Sequence, residues 1–569
     1  MSNTRKLKAF SDIVASSVVV TLLAAGCGGG GDSSPAAATS SSSGTTGSSS
    51  GSSSGSTSIS AGSLGLTECV AGSGHDYQVG PNAGQLASLN LVPWESLAPG
   101  DTVRIFYQAT SYKGKFLIAS SGTSGAPIRI CGVKGPNGER PTIDGNGATT
   151  RTAAAFASLY GSTTSCGSSC NGQSPSYIYQ NRAVILVKAN PANYTGYPAY
   201  LQIDGLRITG AASGNTFTDT NGTAQVYAPA ADGSFGACIW IDRGQNITIA
   251  NNEIDNCTNG LYSKSLNDGD YAVTKNIRLA GNYIHGNGVV GDEHQHNSYM
   301  ESVNIVYEYN RYGAPRSGAL GNAIKDRSVG TVVRFNRIEE GAHAIDLVEA
   351  EDFQVIATAL AAYRTTFVYG NQIVKNGDSG SFIHYGGDHY GGSPATTITD
   401  MTWGEAIFRK GTLYFFNNTI YATGSGVQLF QVSTTDEAAQ IWNNIFYCDA
   451  SVAAGYCNMR ATSEVASAWT PGGIVNLDVN WINANWSDSD PYHTVPGTLS
   501  GQAKLITGAT APISLTTLIP IAGSAVIDKG VAGPAAASAY PVNAQLSSAF
   551  APATRSVNGA AIDLGAIEK

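Results

Sequence analysis

Four segments of the chain end in a chemically capable side chain and share one pattern: His296-Asn297-Ser298-Tyr299, Asn322-Ala323-Ile324-Lys325, His343-Ala344-Ile345-Asp346 and Ser381-Phe382-Ile383-His384. The third position is Ser or Ile and the fourth is polar, as in a strand with one buried and one outward face. Stacked as parallel neighbours, the four segments would bring Tyr299, Lys325, Asp346 and His384 into one outward row about 14 Å long. That length suits two or three sugar residues of a bound polymer. Arg327 lies two residues beyond Lys325 on the same face, and Glu301 takes the corresponding place one strand earlier. His296 and His343 flank the row, and six of the eight histidines fall between His285 and His389.

A phenol, an amine, a guanidinium, a carboxylate and an imidazole in one row are the parts needed for β-elimination of a polyuronate. A base removes the proton beside the substrate carboxylate, and a cation neutralises that carboxylate as charge develops. Lys325 or Tyr299 is the candidate base, Arg327 the neutraliser, and Tyr299 or His384 the acid for the leaving oxygen. Arg327 should lower the lysine pKa while Asp346 should raise it, and the sequence does not decide between them. Hydrolysis would need two carboxyl groups at a set separation, for which Asp346 with Asp326 or Glu301 is available. A third reading is a non-catalytic glycan binder with Tyr385 and Tyr390 as aromatic platforms. Candidate substrate contacts are His296, Asn297, Glu301, His343, Tyr385, His389 and Tyr390. The plain structural alternative is that Lys325 and Asp346 form an exposed ion pair worth at most about 1 kcal/mol.

No cysteine or histidine cluster has zinc spacing. His294 with Asp292 and Glu293 could ligate a metal, and a Ca2+ held by Asp292, Glu293 and Glu301 stays open.

The elements that must position the row are legible from a repeat. An Asn recurs at Asn252, Asn282, Asn310, Asn336, Asn371, Asn418 and Asn444, with gaps of 30, 28, 26, 35, 47 and 26 residues. A short alternating strand such as NITI or TLYFF precedes each one. A constant local pattern with a variable period marks the coils of a solenoid with outer loops of unequal length. The Asn column itself is expected to be structural, each turn Asn taking left-handed geometry and stacking its amide on the next.

The folded part is expected to begin near Cys69, with Thr102-Val103-Arg104-Ile105, Lys115-Phe116-Leu117-Ile118, Pro127-Ile128-Arg129-Ile130 and Thr142-Ile143-Asp144-Gly145 as early strands. These segments resemble the N-terminal coils of the right-handed parallel β-helix, or pectate-lyase-like, superfamily. Gly523-Ser524-Ala525-Val526-Ile527-Asp528-Lys529-Gly530 and Ile562-Asp563-Leu564-Gly565-Ala566-Ile567-Glu568 resemble its closing segment. The motifs HNSY, NAIKDRS, HAIDL and IHYGG resemble exported bacterial β-helix proteins described as polysaccharide-degrading, with departures at Asn322 and His384. The resemblance implies an all-β, single-stranded right-handed parallel β-helix with loop excursions. It also implies an enzyme acting on polysaccharide, and the acidic-glycan lyase above is the leading form.

Arg5, Lys6 and Lys8 precede an apolar stretch from Ile13 to Ala25, too short for a permanent membrane span. It ends at Cys27 and resembles a bacterial lipoprotein signal, so residues 1–27 are expected to be a signal with a lipidated Cys27. Plain secretion is the alternative. Residues 28–60 form a Gly/Ser-rich tether with a reach of about 30 Å. The β-helix is expected over 61–569, with core coils from about 200 to 450 and a closing segment from about 515. Gly28 resembles outer-membrane sorting, so membrane contact is expected only through the lipid.

Eight further cysteines suit disulfides in an exported chain. Sequence proximity pairs Cys166 with Cys170, Cys238 with Cys257 and Cys448 with Cys457, leaving Cys69 for Cys131. A formal charge of −9 and the lack of any Lys/Arg-rich run argue against nucleic acid as partner. A monomer is expected.

Overall fold

The computed structural model describes residues 60–152, 183–188, 196–220, 222–227, 236–389, 397–460, 472–488 and 497–569. Residues 1–59, on which the expected signal, Cys27 and nearly all of the expected tether fall, lie outside the described residues, as do Cys166, Cys170 and Tyr390.

Short runs of β-branched and aromatic residues form strands, and each coil gives one strand to each of three sheets. Among the described residues these hold 13, 12 and 11 strands, paired parallel apart from one hairpin in the 12-stranded sheet. Lys275–Ala280, Tyr283–His285 and Ser298–Met300 make one such coil, and Val303–Glu308, Arg311–Tyr312 and Ile324–Asp326 make the next. Strand alternation sends every second side chain inward, and the register stacks like on like: Ile247, Ile277 and Ile305 form one interior column. Each such buried aliphatic contributes about 1.5–3 kcal/mol. The chain is therefore a parallel β-helix. Its coils run from Asp76–Val79 to Leu505–Gly508.

The Asn column is a hydrogen-bonded ladder. Asn310 donates its backbone N–H (2.9 Å) and its amide (3.0 Å) to Asn336 Oδ1, and its amide also reaches Leu279 O at 2.8 Å. The ladder continues one step beyond Asn444, to Asn480. Left-handed geometry belongs to the residue before the ladder Asn, as at Asn251, Tyr309, Phe335, Asn417 and Asn443. The chain corner turns there, which leaves the following amide free to face its neighbours.

The closing segment lies along the flanks of the coils. Ala537, Ala544 and Leu546 cover an outer aromatic row that includes Phe335, Tyr369, Phe416 and Trp442. Leu518, Val526 and Leu564 cover Ile445 and Trp481. Disulfides join Cys238 to Cys257 and Cys448 to Cys457, as proximity suggested, and Cys69 to Cys131, the pair left over.

One buried ion pair sits beneath the candidate row. Arg409 donates to Asp326 Oδ1 at 3.0 Å, and neither side chain is exposed. The same guanidinium reaches Val348 O (2.9 Å), Ser328 O (3.0 Å) and Asp326 O (3.0 Å), while Tyr307 donates to Asp326 Oδ2 at 2.8 Å. Three coil corners are thereby tied together below the segments that carry Arg327 and Glu349.

Candidate active site

The strands Ser298–Met300, Ile324–Asp326, Ile345–Leu347 and Ile383–Tyr385 are consecutive neighbours in the 12-stranded sheet. Their register places Tyr299 beside Lys325, Lys325 beside Asp346 and Asp346 beside His384. Ile324, Ile345 and Ile383 are fully buried on the opposite face, which turns the row outward. The row is nevertheless not an exposed surface. Lys325, Arg327, Asp346 and His384 are only 7, 3, 1 and 1% exposed, and Tyr299 is half-buried. The cover comes from carboxylates at the strand ends, because buried charge is tolerated only where it is paired.

Lys325 Nζ lies 2.8 Å from Asp346 Oδ2 and also contacts Asp388. Arg327 meets Glu351 at 2.9 Å, Asp388 at 3.2 Å and Glu349 at 3.3 Å. Its Nε donates to Tyr299 Oη at 2.9 Å. His384 Nδ1 is 2.8 Å from Asp346 Oδ1, and its Nε2 is 3.2 Å from Ser433 Oγ. Sequence reasoning assigned no role to Glu349, Glu351, Asp388 and Ser433. The one available signal was Gly386-Gly387 ahead of Asp388, a pair that lets backbone pass close to other groups.

These neighbours set the protonation states. Burial alone would lower the Lys325 pKa, but Asp346 and Asp388 outweigh both it and Arg327 and raise it. Burial would raise Asp346, yet Lys325 and His384 hold its carboxyl far below the usual range. Asp388 is held low in the same way by Arg327 and Lys325 against burial. Burial keeps the Tyr299 phenol well above its ordinary value despite Arg327.

Burial opposes the charged form of His389, but hydrogen bonds to Asp388 and Glu349 prevail and push it up from 6.5 to about 10. A pKa raised by folding stabilises fully below the unfolded value and is lost as pH climbs to the folded one. Stability should therefore fall between pH 6.5 and about 10 through this residue. His389→Gln should flatten that decline in thermal melts across the same window, and an unchanged slope would remove His389 from the network.

Several expected contacts have other tasks. Tyr385 points into the core and is fully buried, so it is no aromatic platform. Asn297 is sealed, bonding Gly313 O at 2.9 Å and Asn287 at 3.0 Å. His296 and His343 cap the next coil: Nδ1 of each accepts a backbone N–H, from Asn322 at 2.9 Å and from Ser381 at 3.2 Å. That geometry requires an unprotonated Nδ1, and burial lowers His343 to about 4. Glu301 is fully buried and accepts from Ser265 N–H at 3.1 Å. Burial, with Asp352 and Glu351, raises it well above the usual carboxyl range, and the side chain is sealed from solvent.

Among the described residues, the group able to converge on a cation is Glu349, Asp388 and His389, not Asp292, Glu293 and Glu301. Asp292 instead accepts from the His294 backbone at 2.9 Å. The converging group suits a metal poorly. Arg327 already lies 3.3 Å from Glu349 and 3.2 Å from Asp388, and a divalent ion would have to displace its charge.

No protein-family model and no curated protein matches the chain. Solved structures similar in trace include the pectate lyase Pel9A, at 11% identity over 87% of this chain and 96% of that one, with a TM-score of 0.32. An alginate lyase from Paenibacillus sp. str. FPU-7 matches at 14% identity over 61% and 89%, with a TM-score of 0.30. A GH136 lacto-N-biosidase from Eubacterium ramulus matches at 13% over 77% and 68%, with a TM-score of 0.35. At this level of likeness the reaction has to be argued from the residues alone.

Proposed function

We propose that the chain is an exported enzyme that cleaves an acidic polysaccharide by β-elimination on the outer face of the 12-stranded sheet. The observation that carries this reading is the Tyr299–Arg327 hydrogen bond of 2.9 Å. Arg327 fills a lone pair of the phenol, so the phenol's own proton is free to point toward a bound glycosidic oxygen. Burial keeps that proton in place until it is needed, and the guanidinium stabilises the phenolate left behind. Lys325 is pinned as an ammonium while Asp388 stays on it. With Asp346 still 2.8 Å away, it stays the cation that faces a substrate carboxylate entering in place of Asp388 and neutralises it as charge develops.

Among the described residues of the row, no carboxyl group is placed as the acid that hydrolysis by a carboxyl pair needs. Asp346 and Asp388 share the Lys325 ammonium, which holds both carboxyls low, while Glu301 is fully buried away from any substrate. Three disulfides suit an oxidising compartment and support action outside the cytoplasm.

The test is to incubate the purified chain with a panel of acidic polysaccharides, following absorbance of unsaturated products alongside reducing ends. Both signals should rise together. Reducing ends alone would replace the lyase with a hydrolase, and retention without turnover would leave a binder.

A further inference from the structure

Asp388 is the one carboxylate that touches all three cations of the site. It contacts Lys325, lies 3.2 Å from Arg327 Nη2, and lies 2.9 Å from His389 Nδ1. Its side chain keeps 21% of its surface, whereas Asp346 and Glu349 beneath keep 2 and 0%. The sealed pair belongs to the floor of the site, and Asp388 sits at its mouth.

The backbone that presents Asp388 is clamped. Gly386 N–H donates to Leu347 O at 3.0 Å, and Gly387 exchanges hydrogen bonds with Ser433 Oγ at 3.0 and 2.7 Å. Asp388 and His389 N–H each donate to Glu349 at 3.0 Å. A Cβ on Gly386 would lie 2.6 Å from that of Ser433, and one on Gly387 would lie 2.1 Å from the Phe408 ring. The close fit fixes the main chain, so an exchange at this position moves the Asp388 side chain and not its backbone.

We propose that Lys325, Arg327 and His389 form a carboxylate-binding seat, and that Asp388 occupies it as a stand-in that a ligand carboxylate must displace. The exchange is one carboxylate for another. With Asp388 turned out, Lys325, Arg327 and His389 lose the one group that touched all three, and a ligand carboxylate takes over those contacts. Asp388 thereby sets specificity. A neutral sugar brings no carboxylate to replace the contacts of Asp388, and a carboxylate that reaches Arg327 and His389 together does. The ligand class is a uronic acid unit of a glycan. That sugar identity rests on the lyase reading, but the seat can be tested without turnover.

The experiment titrates acetate, galacturonate and galactose into the full chain and into Asp388→Ala and Asp388→Asn, following the His389 imidazole by NMR. If the seat is open less than a tenth of the time, removing the stand-in tightens carboxylate binding by about tenfold or more. Acetate and galacturonate should both gain, and galactose should not. Thermal melts show whether each variant stays folded, and the isosteric Asn keeps the test alive should Ala unfold. Equal or weaker carboxylate binding in a folded variant would overturn the seat. Acetate binding that tightens while no polysaccharide is ever cleaved would keep the seat and remove the lyase.

Discussion

Tyr299→Phe should lower turnover on the cleaved polysaccharide by about 10²–10⁴-fold, the usual worth of a positioned proton donor. The variant removes one oxygen and leaves the ring. Tyr262, 5.2 Å away ring to ring, and the Arg327 guanidinium, 5.8 Å from the ring centroid, keep their neighbour. Arg327 loses one acceptor at its Nε and retains Glu349, Glu351 and Asp388. The fold should therefore lose only about 1 kcal/mol, as for a typical hydrogen bond. The effect should fall on kcat with KM little changed, because the proton moves only as the glycosidic bond breaks. Full activity in Tyr299→Phe would dismiss the phenol as the acid, and loss of both activity and folding would mean that the oxygen serves structure.

The alternation that buries Ile324, Ile345 and Ile383 is local, so the neighbour relations of Tyr299, Lys325, Asp346 and His384 are legible in the amino-acid pattern alone. Exposure of that row is not. Glu349, Glu351 and Asp388 stand beyond their strands, where no period constrains direction, and they fold back over the cations. The protonation of Lys325 escapes the sequence for the same reason. Sequence offers one raising and one lowering neighbour, while the fold adds Asp388, which joins Asp346 and raises the pKa. His296 and His343 mislead for a different reason. A histidine Nδ1 can replace an Asn side-chain oxygen in a coil-to-coil ladder, and the column Asn259, His296, Asn322, His343 alternates the two. Two of the six clustered histidines, His296 and His343, are thus turn caps.

The largest effect on stability should come from Arg409→Met. Removing one partner of a buried pair leaves the other charge uncompensated, at a cost of roughly 3–5 kcal/mol. Asp326 would then keep the Tyr307 hydroxyl at 2.8 Å and the Thr331 hydroxyl at 2.6 Å, neither of which carries charge. Asp326→Asn should restore part of the loss, since a neutral amide in that position needs no counter-ion. The double variant should lie closer to the native protein than Arg409→Met alone in urea unfolding. Equal or greater destabilisation would show that the three carbonyl contacts of Arg409, at Val348, Ser328 and Asp326, outweigh its charge. The same comparison bears on function. Ser328 and Val348 adjoin Arg327 and Glu349, so slack in that corner shifts the guanidinium that supports Tyr299. Activity of the folded double variant should therefore fall even where its stability recovers, because misplacing a positioned group by about 1 Å already costs up to about 10²-fold in rate.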